Sequence, residues 1–203
     1  IMINGLDTLT CDSMVYWSKL DSGYAIGKVN YVQSQNNRSL KTEIFHYWKT
    51  SGYRGNSFNA KGNTIIKEKD QILKSNEISY DDDTQIMILT NNASVGSSSR
   101  GIFGDHMIIQ YRDSLIEKIQ VNNNAFAFND LNLKINEDGP LRVFRDEMSS
   151  KQMIAILLDG DIDHLKLNDM AITLYHVVDN GLLVGKNEAT GDSILVDFEK
   201  DNI

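Results

Sequence analysis

The chain has 203 residues, 41% hydrophobic and 24% charged, which allows a sizeable core and an ordinary globular composition. A net charge of −8 argues against nucleic-acid binding, which needs Lys and Arg to neutralise phosphates, and against an anionic membrane surface as the main partner. The lone cysteine, Cys11, excludes an internal disulfide and a multi-cysteine zinc site; no apolar run approaches the length of a transmembrane helix, and no signal peptide is visible.

The first residues, IMINGLDTL, read as the middle of a longer chain. They lead into CDSMVYWSK at 11–19, a pattern written again as TEIFHYWKT at 42–50. Asp12, Glu43, Asn76 and Asp105 repeat at intervals of 31, 33 and 29 residues. Two residues beyond them stand Met14, Phe45, Ile78 and Met107; four beyond stand Tyr16, Tyr47, Tyr80 and Ile109. The period inside each segment is two, a strand signal, and enrichment in Ile, Val, Tyr and Thr agrees with it. Between these segments runs a second theme, a small or amide residue before apolar ones: GKVNYV from Gly27, GNTII from Gly62, NNASV from Asn91 and NNAFAF from Asn123. A unit of about 30 residues thus holds two extended segments and two turns.

Turn chemistry falls at QNNR (35–38), YDDDT (80–84), GSSSRG (96–101) and NEDGP (136–140), the last holding the single proline, Pro140. Residues 152–167, QMIAILLDGDIDHLKL, read as two strands around an Asp159-Gly160 turn. NDMAITLYHV from Asn168 repeats the amide–small–apolar theme, and ILVDFEKDNI at 194–203 reads as the start of another hairpin, stopping short like a chain that continues. A helix through 146–157 is the one alternative to strand. The chain is otherwise all-β: some twelve to sixteen strands in consecutive antiparallel hairpins, in one elongated sheet or two facing ones and not a small closed barrel.

The unit "apolar–x–small–Asp–x–apolar–x–Tyr, turn, Gly–Asn/Lys–Val" resembles the repeat of the OstA-like (organic-solvent-tolerance) family, which embraces the LptA-type lipopolysaccharide bridge and the N-terminal domain of the LptD translocon. The likeness runs from about Leu9 to the end. It includes 148–175, MSSKQMIAILLDGDIDHLKLNDMAITLY, and 182–198, LLVGKNEATGDSILVDF. The chain departs from the family pattern at Asn76, where an acidic residue is usual, and where Asn or Asp replaces the second glycine.

The resemblance implies a single domain over 1–203, part of a longer chain: an open, twisted β-jellyroll, V-shaped in section, with an apolar interior. It implies a periplasmic place in a Gram-negative cell, free or associated with the outer membrane, and lipopolysaccharide as cargo, its lipid A acyl chains inside. It implies other jellyroll domains as partners through edge-strand pairing, head-to-tail self-association, no catalysis and no cofactor. Burial is worth about 0.8 kcal/mol per methylene, so an acyl chain of about a dozen resists water by about 10 kcal/mol and needs an escort. The candidate groove wall is the repeating face, Met14, Tyr16, Phe45, Tyr47, Ile78, Tyr80, Met107 and Ile109, with Val29 and Val121. These side chains suit a plain sheet core equally well.

Other motifs weigh less. DGDIDH at 159–164 begins like a calcium loop but has His164 where glycine is needed and Met170 where glutamate is needed. YDDDT reads as a solvated acidic turn. GKNEATGDS at 185–193 lacks the spacing of a phosphate loop. His46, His106, His164 and His176 share no repeat position and read as residues of exposed strand faces, and Cys11 occupies a small-residue site. A β-solenoid that binds or cleaves polysaccharide is the competing architecture.

Overall fold

In the computed structural model, which describes residues 1–4, 7–34, 37–52 and 55–198, both central residues of the pair Gly62-Asn63 have positive φ, 92° and 47°. Glycine adopts this region freely and asparagine tolerates it. The pair does not reverse the chain. It sits in the middle of a 13-residue strand and bends it sharply, because two residues there oppose one on the neighbouring strand.

That device recurs. Thirteen strands are formed among the described residues: β1 (Met2–Asn4), β2 (Asp7–Thr10), β3 (Ser13–Trp17), β4 (Ser22–Gln33), β5 (Arg38–Lys49), β6 (Asn56–Glu68), β7 (Gln71–Asp81), β8 (Ile86–Gly96), β9 (Arg100–Arg112), β10 (Leu115–Leu133), β11 (Arg142–Leu158), β12 (Asp161–Asp179) and β13 (Leu182–Asp197). The corner pairs are Gly27-Lys28 in β4, Gly62-Asn63 in β6, Asn91-Asn92 in β8, Asn123-Asn124 in β10 and Asp169-Met170 in β12, all with positive φ. Opposite them stand Glu43, Asn76, Asp105, Lys151 and Asp192, each skipped in the register. The repeating acidic or amide position is therefore the residue that packs over a corner. A Cβ on Gly27 would fall on the Asp12 carboxylate, and one on Gly62 would lie 2.7 Å from the Glu43 Cβ. Asn124 Nδ2 donates to Asp105 Oδ2 at 2.8 Å. Hydroxyls along the same line bind carbonyls there: Thr42 Oγ1 donates to Lys61 O at 2.7 Å, and Ser75 Oγ to Thr90 O at 2.6 Å.

All thirteen strands belong to one open antiparallel sheet in sequence order, with β3 and β2 both pairing β4. The corners fold it lengthwise into two walls. On one wall a register row runs Met14, Ala25, Phe45, Ala60, Ile78, Leu89, Met107, Val121, Met153, Leu167, Ile194. The next row of that wall includes Tyr16, Tyr47, Phe58, Tyr80, Met87 and Ile109. The other wall carries Leu9, Tyr31, Leu40, Ile66, Leu73, Val95 and Ile102. Both walls contribute to one buried apolar cluster. Repeating positions share a row because each 30-residue unit advances the sheet by two strands.

Several expectations are corrected. Residues 146–157 lie within β11, and 194–197 end the single strand β13 that begins at Leu182; the far end of the expected hairpin, 199–203, lies outside the described residues. The β-solenoid fails, since neighbouring strands are antiparallel and follow sequence order, with an isolated parallel bridge at Lys134–Leu182. The acidic turn is not wholly solvated. Asp82 is 1% exposed, accepts the Tyr80 hydroxyl at 3.1 Å and the Gly55 N–H at 2.6 Å, and its own N–H donates to Ser57 Oγ at 2.8 Å. It ties the β5–β6 connection to the β7–β8 turn. The Asp159-Gly160 hairpin is as expected, with both φ positive. The QNNR turn includes Gln35 and Asn36, which lie outside the described residues. No helix of the described residues is long and apolar enough to cross a membrane.

Candidate functional site: an opening between two walls

Midway along the sheet the interior is packed shut. Ile66, Ile78, Met87, Leu89, Met107, Ile109, Val121, Met153, Leu165 and Leu167 are between 0 and 1% exposed. Long, unbranched Met side chains fill the gaps between β-branched neighbours. An apolar trough open along its whole length is therefore not what these residues build.

The walls part at the N-terminal end instead. A cavity of about 850 Å³ opens there, within the roughly 300–1,000 Å³ of small-ligand sites. Leu9, Tyr31 and Leu40 line it from one wall, and Phe45, Tyr47 and Phe58 from the other. Rings meet across and along it: Tyr31–Phe45 at 6.0 Å, Phe45–Tyr47 at 5.7 Å, Phe45–Phe58 at 5.8 Å between centroids. The series continues inward through Phe58–Tyr80 at 5.9 Å to Tyr80–Tyr111 at 6.1 Å. Close aromatic pairs of this kind stabilise the wall by about 0.5–1.5 kcal/mol each beyond burial.

The rim is polar and charge-balanced. Asp7, Asp21 and Glu68 face Arg38, Lys49 and Lys69. Tyr31 donates to Asp7 at 2.9 Å, and burial, then this bond, pushes its phenol far above the usual tyrosine range. Asp21 takes the Tyr16 hydroxyl at 3.0 Å and Lys49 at 3.3 Å, and its bond to Tyr16 raises that phenol as well. Burial raises Tyr47. These phenols stay neutral at ordinary pH, and the Tyr31 and Tyr16 protons are committed to Asp7 and Asp21.

Of the candidate groove residues, Tyr16, Phe45 and Tyr47 line this cavity. Met14 is half-buried against the core. Val29, Ile78, Tyr80, Met107, Ile109 and Val121 are fully buried and do not line it. Leu9, Tyr31, Leu40 and Phe58 were not singled out in the sequence. Tyr31 alone of these lies in the second theme of the repeat, in GKVNYV after the first corner pair; Leu9, Leu40 and Phe58 fall outside both repeated themes. The histidines are half-buried, not exposed, and the His176 side chain is 11% exposed against Asp146. Among the described residues no cluster of His, Cys, Asp and Glu could hold a metal ion.

A second opening of about 1,330 Å³ lies toward the C-terminal end, where β10–β12 outreach the shorter strands before them. It shares Glu68, Lys69 and Ser114 with the first, so the two form successive stretches of one mouth between the walls.

No protein-family model matches the chain, and no curated protein matches it. Among solved structures it is similar to the crystal structure of LptH, the LptA-homologous periplasmic component of the conserved lipopolysaccharide transport device from Pseudomonas aeruginosa. The TM-score is 0.46 and the identity 14%, over 54% of this chain and 79% of that one. The open folded sheet described above rests on its own strand register.

Proposed function

We propose that this chain is a carrier of the OstA-like kind, which shelters acyl chains of an amphiphile, lipid A of lipopolysaccharide, between the two walls of an open jellyroll. The supporting observation is the aromatic cavity at the N-terminal end, apolar within and charge-balanced at its rim. Methylenes placed against Leu40, Phe45 and Phe58 leave water, at about 0.8 kcal/mol each. A balanced rim supplies no basic clamp, so lipid phosphates stay in solvent. The chain performs no chemistry, works in the periplasm as a single jellyroll unit of a longer protein, and meets other jellyroll domains through its free edges, β3 with β1 and β13.

Retention of labelled lipopolysaccharide by the purified protein tests this reading. Tyr47→Arg places a charge in the cavity wall at a half-buried position. Wild type is expected to retain the lipid and the variant to lose most of it, about tenfold or more in affinity for a charge set against acyl chain. Equal retention by both, or none by wild type, defeats the reading.

A further inference from the structure

The net charge of −8 is unevenly spread along the chain. Residues 1–80 hold ten Lys and Arg against seven Asp and Glu, a net of +3; residues 81–203 hold ten against twenty-one, a net of −11. An acidic chain therefore contains a basic region, and the strand register shows which way that region faces. We propose that the outer side of the wall that turns Leu40, Ile66 and Leu73 inward is a docking surface for an anionic lipid bilayer.

Side chains alternate across a strand, so the chain neighbours of Leu40, Ile66 and Leu73 point outward. Lys41, Ile65, Lys74, Ser94, Phe103 and Phe126 stand side by side in one register row. Ser39, Lys67, Ile72, Gly96, Gly101 and Phe128 form the next. From β5 to β10 the charged members of both rows are Lys41, Lys67 and Lys74, and all three are exposed. An acidic side chain enters at β11, where Glu147 stands opposite Phe128 and ends the stripe. Five strand spacings of about 4.8 Å make that stripe about 24 Å long.

Beside the lysines lies an apolar plate. Phe103 is 39% exposed and meets Phe126 at 6.2 Å and Phe128 at 5.9 Å between ring centroids. A Cβ on Gly101 would come within 3.0 Å of the Phe103 and Phe128 rings, so the rings lie low over the sheet. Arg145, bonded to both carboxylate oxygens of Asp130, lies over Phe128 at 4.3 Å and covers one face of it. A covered ring is a poor platform for a stacked base, but its edge is hydrocarbon that a lipid interface can bury. Lysines attract anionic headgroups within about a Debye length, and the adjacent rings enter the boundary of the acyl region. The contact spares the aromatic cavity, which Leu40 lines from the opposite side of the strand that supplies Lys41. It stands whether or not that cavity holds acyl chains.

Flotation of the whole chain with two kinds of vesicle tests this: phosphatidylcholine alone, and phosphatidylcholine mixed with phosphatidylglycerol. Binding to the mixed vesicles is expected, about tenfold or more weaker on the neutral ones and falling as salt rises. Lys41→Gln, Lys67→Gln and Lys74→Gln should each weaken it about fivefold, and Phe103→Ser by a similar factor. The three lysines are exposed, so these variants keep the core intact. Lys166→Gln, which alters an exposed lysine on the outer side of the other wall, should change binding little. No binding to mixed vesicles, equal binding to both kinds, or a loss in Lys166→Gln as large as in the other three overturns the docking surface. A single-stranded oligonucleotide that binds through the same lysines while vesicles do not would give the face to a different polyanion and overturn it as well.

Discussion

Gly62 shows how much of the architecture rests on single residues. Its φ of 92° is strained for any side chain, and an added Cβ would meet Glu43. Gly62→Val is expected to lower stability by about 1–3 kcal/mol, read as a smaller urea midpoint with an unchanged slope. Tyr31 is a second such residue. Its phenol is held protonated by burial and by Asp7, so its folded pKa lies above its unfolded one. The stability this gives is complete below about pH 10, the ordinary tyrosine value, and is lost as pH rises through the folded pKa. Alkaline unfolding curves of wild type should therefore fall more steeply above pH 10 than those of Tyr31→Phe. Equal slopes would mean that Tyr31 does not hold its proton.

At the scale of elements, the strands and their repeat were legible in the sequence and the bend was not. Met14, Phe45, Ile78 and Met107 recur because the register sets them in one row, and period-two alternation reports that directly. The Gly-Lys, Gly-Asn and Asn-Asn pairs enter the sequence reading only as the start of the second extended theme, and elsewhere residues with φ > 0 most often reverse a chain. Here strand pairing continues on both sides of each pair, so the same backbone conformation makes a corner. Nothing local to the pair distinguishes the two outcomes. Asp82 escaped notice for a similar reason: its partners at Gly55 and Ser57 lie more than twenty residues away. The strands also differ in how firmly they are held. β6 to β9 each pair on both sides over nearly their full length, whereas β1 has three paired residues on one side and β3 five. Hydrogen exchange should find amides of β6–β9 opening only with global unfolding and those of β1 and β3 opening far more readily. Uniform protection would contradict this picture of the sheet.

For the molecule as a whole, the apolar interior was legible and its partial closure was not. Alternating apolar residues announce a buried face, but whether two such faces meet or leave room depends on side-chain volumes across the fold. Met87, Met107 and Met153 close the middle; toward the N-terminus a cavity opens beside the paired rings of Tyr31, Phe45 and Phe58. The site residues chosen from the repeat therefore divide into three that reach this space and seven packed in or against the core. The central claim is that acyl chains enter between the walls at that end. Placing a photo-crosslinking side chain at Tyr47, inside the cavity, and at Ile172, an exposed residue of β12, tests it most directly. On illumination with lipopolysaccharide, the adduct should form through the acyl portion at position 47 and be absent at 172. Equal labelling at both positions, or labelling at 172 alone, would contradict it.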